Sequence, residues 1–398
     1  SERVPARSIR RARPRVTARA QQRSRRLVSL AVLPCCLLLL AAAAPDARAA
    51  RFQKAFWGPT AIDGKSQFPV YKRLGVTLYQ MILPWASAAP TRPANPKDPR
   101  DPAYHWPAEI DAAIAQARRH GMRVLLMPFG APPWANGGRT PEWAPDRPSD
   151  YAAFARAAAR RYPSVRHWMI WGEPSRSNNW KPFVEQPMGD GITAGSRRVA
   201  RRYARLLDAA YGQLKAQRRS NVVIGGNTYT TGEIRPRDWV RSMRLPNRRP
   251  PRMDLYGHNP FSIRRPDLRN PPSLHGVVDF SDLARFDRLV QRDLARPRRK
   301  RIRLFLSEFT IPTGPDVEFN FYVSPRTQSR WITNAFRIAR RLKAHGLGWI
   351  HLRDDPPIRG GTAISGGLLT HDGRRKPGFY AFMRGGLTAA QRARARNQ

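Results

Sequence analysis

The chain has 398 residues, with 72 Lys+Arg against 28 Asp+Glu and a formal net charge of +44. A hydrophobic content of 41% supplies a core and excludes a wholly disordered chain, and only two cysteines exclude a disulfide scaffold. Charge alone nominates a polyanion as partner, nucleic acid included.

Residues 1–49 read as an export signal. Ten arginines and one acid fill positions 1–26, Leu27–Ala44 is apolar, and Ala47-Arg48-Ala49 is a small-x-small cleavage pattern. An uncleaved signal anchor is the alternative, since 18 apolar residues reach the lower edge of a membrane span. Membrane association is expected only if this segment is retained. Both cysteines, Cys35 and Cys36, lie inside it, so thiol catalysis is excluded beyond it. The segment holds 11 arginines and two acids, which leaves 61 basic and 26 acidic residues, a net +35, in the remainder. Only nine of the 72 basic residues are lysine, a bias that a GC-rich genome produces without selection for a partner.

From residue 50 to 387 one pattern repeats: an apolar run, a turn, then helical periodicity. The runs are Ala55–Pro59, Val76–Leu83, Arg123–Phe129, His167–Trp171, Val222–Asn227, Met253–His258, Ile302–Phe309 and Gly348–Leu352. Helical stretches cover Ala108–His120, Tyr151–Arg161, Ser196–Gln217, Ser281–Ala295 and Thr327–His345, with Gly346 as the stop after the last. Near-continuous apolar strands suit a parallel sheet buried on both faces. Eight of them alternating with helices predict an α/β (β/α)8 TIM barrel. A doubly wound sheet is the other option, but no glycine-rich phosphate loop follows the first run. Residues 388–398 form a basic tail, and the basic run Arg296–Arg301 reads as a solvated loop.

Catalytic groups of such a barrel sit where strands emerge at its C-terminal face. The fourth run ends in Trp171-Gly172-Glu173-Pro174 and the seventh in Leu306-Ser307-Glu308-Phe309. Two carboxylates facing each other across a pocket are the apparatus of glycoside hydrolysis: one holds a proton for the leaving oxygen, the other stays ionised at the sugar carbon. No metal-ligand spacing and no G-x-S-x-G elbow is present, which disfavours a metal hydrolase and a serine esterase. Neither metal nor cofactor is expected.

With these motifs in order, the chain resembles the clan of retaining (β/α)8 glycoside hydrolases that includes cellulases, β-xylosidases and β-mannanases. Leu83-Pro84-Trp85, Pro132-Pro133-Trp134-Ala135, His258-Asn259-Pro260-Phe261 and Lys376-Pro377-Gly378-Phe379-Tyr380 extend the likeness along the chain. The resemblance implies Glu173 as general acid and then base, and Glu308 as nucleophile. Three positions depart from the clan's pattern: Gly172 where Asn is usual, Gln80 where Arg is usual and Phe261 where Tyr is usual. Each removes a polar support of the transition state, so the departures bear on activity more than on fold. Asn227 and Tyr229 are candidate replacements. Flat indoles cover the apolar face of a sugar, which makes Trp57, Trp85, Trp134 and Trp349 candidate substrate contacts, with core as the competing role for Trp349. His258 is a candidate donor, or a satisfied strand-end histidine. His105, His120 and His345 read as helix-flanking surface residues. Asp354 and Asp355 end the last run, free for a hydroxyl, a cation or an arginine.

Three functions follow: an exported retaining glycosidase acting on an oligo- or polysaccharide, a carbohydrate-binding barrel with impaired chemistry, or a basic binder of anionic cell-envelope polymers. Nucleic acid is not expected as a specific partner, because the leader takes the chain away from the genome and no recognition motif is present.

Overall fold

Apolar β-runs followed by amphipathic helices bury themselves best as a closed sheet inside a ring of helices. The computed structural model describes residues 52–187, 191–297 and 300–386. The expected leader and basic tail lie outside the described residues. Eight parallel strands close into a barrel: β1 Gln53–Trp57, β2 Leu78–Pro84, β3 Arg123–Phe129, β4 His167–Met169, β5 Val222–Tyr229, β6 Leu255–Asn259, β7 Arg303–Leu306 and β8 Gly346–Trp349. Closure is made by β8 on β1, with Gln53 paired to Gly346 and Phe56 to Trp349.

The helices are α1 Phe68–Arg73, α2 Trp85–Ala88, α3 Ala108–Arg119, α4 Pro148–Arg161 and α5 Ala194–Gln217. They continue as α6 Pro236–Ser242, α7 Leu283–Leu294, α8 Pro325–Arg341 and α9 Pro377–Arg384. Helix α3 shows why such segments fold this way. Ile110, Ala113, Ile114 and Ala117 make its buried stripe, Glu109 and Asp111 sit in its first turn, and Arg118 and Arg119 in its last, matching the helix dipole.

Alternation along each strand divides the core in two. Ala55, Leu78, Leu125, Met127, Met169, Ile224, Leu255 and Phe305 fill the barrel. Phe56, Tyr79, Leu126, Trp168, Val223, Tyr256, Leu304 and Leu347 face the helices.

The last strand begins at Gly346, which was expected to stop the preceding helix. Helix α8 instead ends at Arg341, and Lys343 makes the left-handed turn (φ 54°). Gly346 is needed in the strand, because a Cβ there would lie 2.6 Å from the Gln53 carbonyl oxygen. His345 is also buried rather than on the surface, with its ring nitrogen 3.2 Å from that of His167 inside the barrel floor. Burial, with Arg303 and Arg123 nearby, lowers its pKa to about 3, so it is neutral.

Candidate active site

The C-terminal ends of β4, β5 and β8 carry unusual backbone. Trp171 (φ 66°), Glu173 (φ 39°), Asn227 (φ 43°) and His351 (φ 68°) all occupy the left-handed region. Such conformations cost about 1–3 kcal/mol each in non-glycine residues and gather where a site over-determines them. A register shift between Gly225 and Thr228 on β5 carries Asn227.

Glu173, just past β4, is buried at 8% exposure, and both its oxygens accept hydrogen bonds. Asn259 Nδ2 donates to Oε1 at 2.7 Å and Arg176 Nη1 to Oε2 at 3.0 Å. Glu308, just past β7, is partly exposed into a cavity of about 530 Å³ that is also lined by Trp57, Ile82, Met127, His351 and Asp355. This volume lies in the range of small-molecule sites. Burial pushes the Glu308 carboxyl well above the ordinary range. The charges of Glu173 and Glu318 push the same way, and Arg176 and a hydrogen bond from Asn259 oppose them. Burial also raises Glu173, against Arg176 and Asn259. The two carboxylates are thus brought together, with Asn259 on Glu173 and close to Glu308.

Asn259 is itself held. Ser307 Oγ lies 2.6 Å from Asn259 Oδ1 and 3.0 Å from the Asn227 side chain. One hydroxyl proton serves one acceptor, and the shorter contact takes it. Turning the Asn227 carboxamide over then lets its Nδ2 donate to Ser307, so Asn227, Ser307 and Asn259 form one directed chain ending on the carboxylates.

The three departures have distinct surroundings. A Cβ at Gly172 would lie 3.1 Å from Met127 Cε and 3.6 Å from the Phe129 ring, so apolar atoms occupy the space of the usual amide. Gln80 is buried and donates through Nε2 to the Ser307 carbonyl at 2.9 Å, supporting the backbone next to Glu308 rather than its charge. Phe261 packs between Tyr229 and Phe319, with ring centroids at 5.3 and 5.5 Å. Tyr229 lies beside the pair: burial raises its hydroxyl pKa, and the charges of Glu173, Glu318 and Glu308 add to that.

Of the other candidates, Trp57 points into the barrel mouth and lines the cavity. Trp85, Trp134, Trp349 and His258 do not join the carboxylates. Trp85 is fully buried against Trp134, Tyr151 and Phe154. Trp134 donates to the Ala89 carbonyl and carries Arg92 on its face. Trp349 packs on Phe309 and Phe382 in the helix layer. His258 turns outward to Phe286, with Nδ1 on Thr228 and Nε2 on the Val278 carbonyl, and burial lowers its pKa to about 4. Alternation explains the last two: Leu255 faces inward, so His258 faces out and Asn259 in. Asp354 is taken by Lys376 Nζ at 2.9 Å and by the Gly367 N–H.

Four residues of the site had not been singled out: Asn259, Arg176, Ser307 and Glu318. The signals available were inward parity for Asn259 and i,i+3 spacing from Glu173 for Arg176.

No family model matches the sequence, and no curated protein matches it. Solved structures do. A family 39 glycoside hydrolase from Bacteroides cellulosilyticus is 16% identical, with a TM-score of 0.58 over 85% of this chain and 64% of the other. This chain therefore spans less than two thirds of that protein's length. A glucosidase from Croceicoccus marinus gives 16%, 0.58, 84% and 67% on the same measures. A monomeric β-xylosidase from Caulobacter crescentus gives 16%, 0.54, 83% and 67%. What this chain shares with them is the closed (β/α)8 barrel fold.

Proposed function

We propose that the protein is a retaining glycoside hydrolase acting on O-glycosidic bonds of an oligo- or polysaccharide. The observation that carries this reading is the pair Glu173 and Glu308 at the ends of β4 and β7, with Glu173 buried on Asn259 and Glu308 opening on the cavity. In the first step a Glu308 oxygen bonds to the anomeric carbon, the glycosidic C–O bond breaks, and the Glu173 proton goes to the leaving oxygen. In the second, water attacks the same carbon, its proton goes to Glu173, and the bond to Glu308 breaks. Trp57 offers a flat face beside Glu308, and the Asn227–Ser307–Asn259 chain stands in for polar supports absent at Gly172 and Phe261.

The test is hydrolysis of a panel of aryl β-glycosides by the parent, Glu308→Ala and Glu173→Ala, with product stereochemistry read by NMR. The parent should release product with retention, and Glu308→Ala should be silent. Equal activity in parent and Glu308→Ala, or none in either, overturns the reading.

A second reading has its own observation: apolar atoms at Gly172 and Phe261 and the carbonyl-bound Gln80 describe a barrel that binds sugar without turning it over. Calorimetry showing sugar binding with no product favours it. Export rests on residues 1–49 alone. N-terminal sequencing of secreted protein beginning near residue 50 is the result it requires.

A further inference from the structure

Double displacement needs the proton on Glu173 and the charge on Glu308 before substrate reacts. The donors at the site are arranged the other way. Both Glu173 oxygens are engaged, one by a guanidinium, while among the described residues no lysine or arginine forms an ion pair with Glu308. The guanidinium is held in place. It lies 4.6 Å from the Tyr229 ring, and the Arg176 backbone N–H donates to the Glu173 carbonyl in the same turn. Glu308 faces carboxylates instead: Glu173 from β4 and Glu318 from the loop after β7, with Asp316 behind it. The remaining groups around the pair are Glu233 beside Glu173, Tyr229 from β5, Asn259 from β6, His351 with Nε2 3.7 Å from Glu318, and Arg353, Asp354 and Asp355, which line the cavity with Glu308. Arg353 forms its ion pair with Asp63 at 3.0 Å, and among the described residues none of these groups forms one with Glu308.

We propose that Arg176 is a positioning residue that fixes the resting charge on Glu173 and leaves the pair's one proton on Glu308, so that reaction begins only after Arg176 swings off Glu173 and the proton passes from Glu308 to Glu173. The inference rests on the reading of these two glutamates as the reacting pair. The transfer is balanced: the pair keeps one proton and one negative charge throughout. Arg176 has room to move, since its side chain is 33% exposed. The arrangement keeps the nucleophile unreactive until a substrate is seated.

The experiment needs no substrate. Protein labelled with ¹³C at the glutamate carboxyl carbon is titrated by NMR, and the two signals are assigned with Glu173→Gln and Glu308→Gln. In the parent, Glu173 should ionise at the lower pH and Glu308 at the higher. In Arg176→Gln the Glu173 midpoint should rise by about one to three pH units, the usual effect of an arginine partner. Arg176→Lys should restore most of the difference, which a merely structural role would not predict. Glu308 ionising before Glu173 in the parent overturns the proposal. So does an unmoved Glu173 midpoint in Arg176→Gln with a parent-like circular dichroism spectrum. If Arg176→Gln does not fold, the order in the parent and its persistence in Arg176→Lys decide the question. Absence of glycosidase activity would remove the enzymatic reading and leave the titration order standing as a separate result.

Discussion

Replacing Glu308 with glutamine should stabilise the protein at neutral pH. Burial and the charges of Glu173 and Glu318 hold this carboxyl well above its ordinary value of 4.5. The unfolded chain therefore ionises first as pH rises, and between the two values it holds fewer protons than the folded chain. Stability must fall with rising pH across that window. Each pH unit of elevation is worth about 1.4 kcal/mol, so over the span from 4.5 to neutrality the gain at pH 7 has a ceiling of about 3 kcal/mol. Glutamine has the shape of the protonated acid and cannot ionise, so its stability escapes the fall. Urea unfolding of parent and Glu308→Gln at half-unit steps from pH 4 to pH 8 reads this directly. The two should coincide near pH 4 and diverge upward, with the variant more stable. A difference independent of pH, or a variant less stable at pH 7, would refute the reasoning. Activity should be lost in the same variant, the trade expected where a site is built against stability.

Trp349→Ala should cost about 3–5 kcal/mol in unfolding free energy, the price range of a large buried aromatic, and leave KM of the folded protein unchanged. Trp57→Ala should do the reverse, raising KM with a smaller loss of stability; denaturation and steady-state kinetics of the pair separate core from site. Asn259→Ala removes the hydrogen bond to Glu173, worth about 1.5–3 kcal/mol, so kcat should drop roughly 10- to 150-fold if that bond holds in the transition state. Lys54 donates to the carbonyls of Leu74, Phe382 and Met383 at the ends of α1 and α9, and burial with Arg340 lowers its pKa to about 7. Above pH 7 the unfolded chain keeps a proton that the folded one has shed, so the parent should gain stability from about pH 7 towards 10.5. Lys54→Met should lack that rise and cost about 1–3 kcal/mol at pH 9, where the two N–H donors of the neutral amine are lost to the buried carbonyls.

The barrel was legible because buried parallel strands and amphipathic helices leave strong periodic signals. The two carboxylates were legible because each ends an apolar run. Nearness to a strand end does not by itself place a side chain at the mouth. His258 and Trp349 sit one step out of phase with the inward residues Asn259 and Gly348, and one step along a strand moves a side chain from the mouth to the helix layer. Trp85 and Trp134 lie past their strands and pair with each other rather than with the cavity. Arg176 was hidden for another reason. In a chain with 72 basic residues one more arginine carries no signal until the turn after Glu173 folds it back on the carboxylate. Gly346 looked like a helix stop because glycine serves both uses, and only the approach of the Gln53 carbonyl selects the strand.

The mouth of the barrel reverses the sign of the chain as a whole. Glu173, Glu308, Asp316, Glu318, Asp354 and Asp355 gather there in a protein of net charge +44. Arg176 and Lys376 answer Glu173 and Asp354, and among the described residues Glu318 and Asp355 have no ion pair to a lysine or arginine. A polymer with a negative charge on every unit would meet those carboxylates at close range, whereas the hydroxyls of a neutral sugar can donate to them. On the reading proposed above, cleavage of a neutral glycan would belong to the mouth, and any attachment to an anionic envelope polymer to the basic exterior. Salt separates the two. Exterior attachment to a soluble polyanion should weaken steeply between 50 and 300 mM salt, as the Debye length falls below about 10 Å. Hydrolysis of an uncharged glycoside in the same range should hold nearly constant, because its contacts are short and partly buried. Parallel salt dependence of both would place the substrate on the basic surface and refute the assignment of the mouth to a neutral sugar.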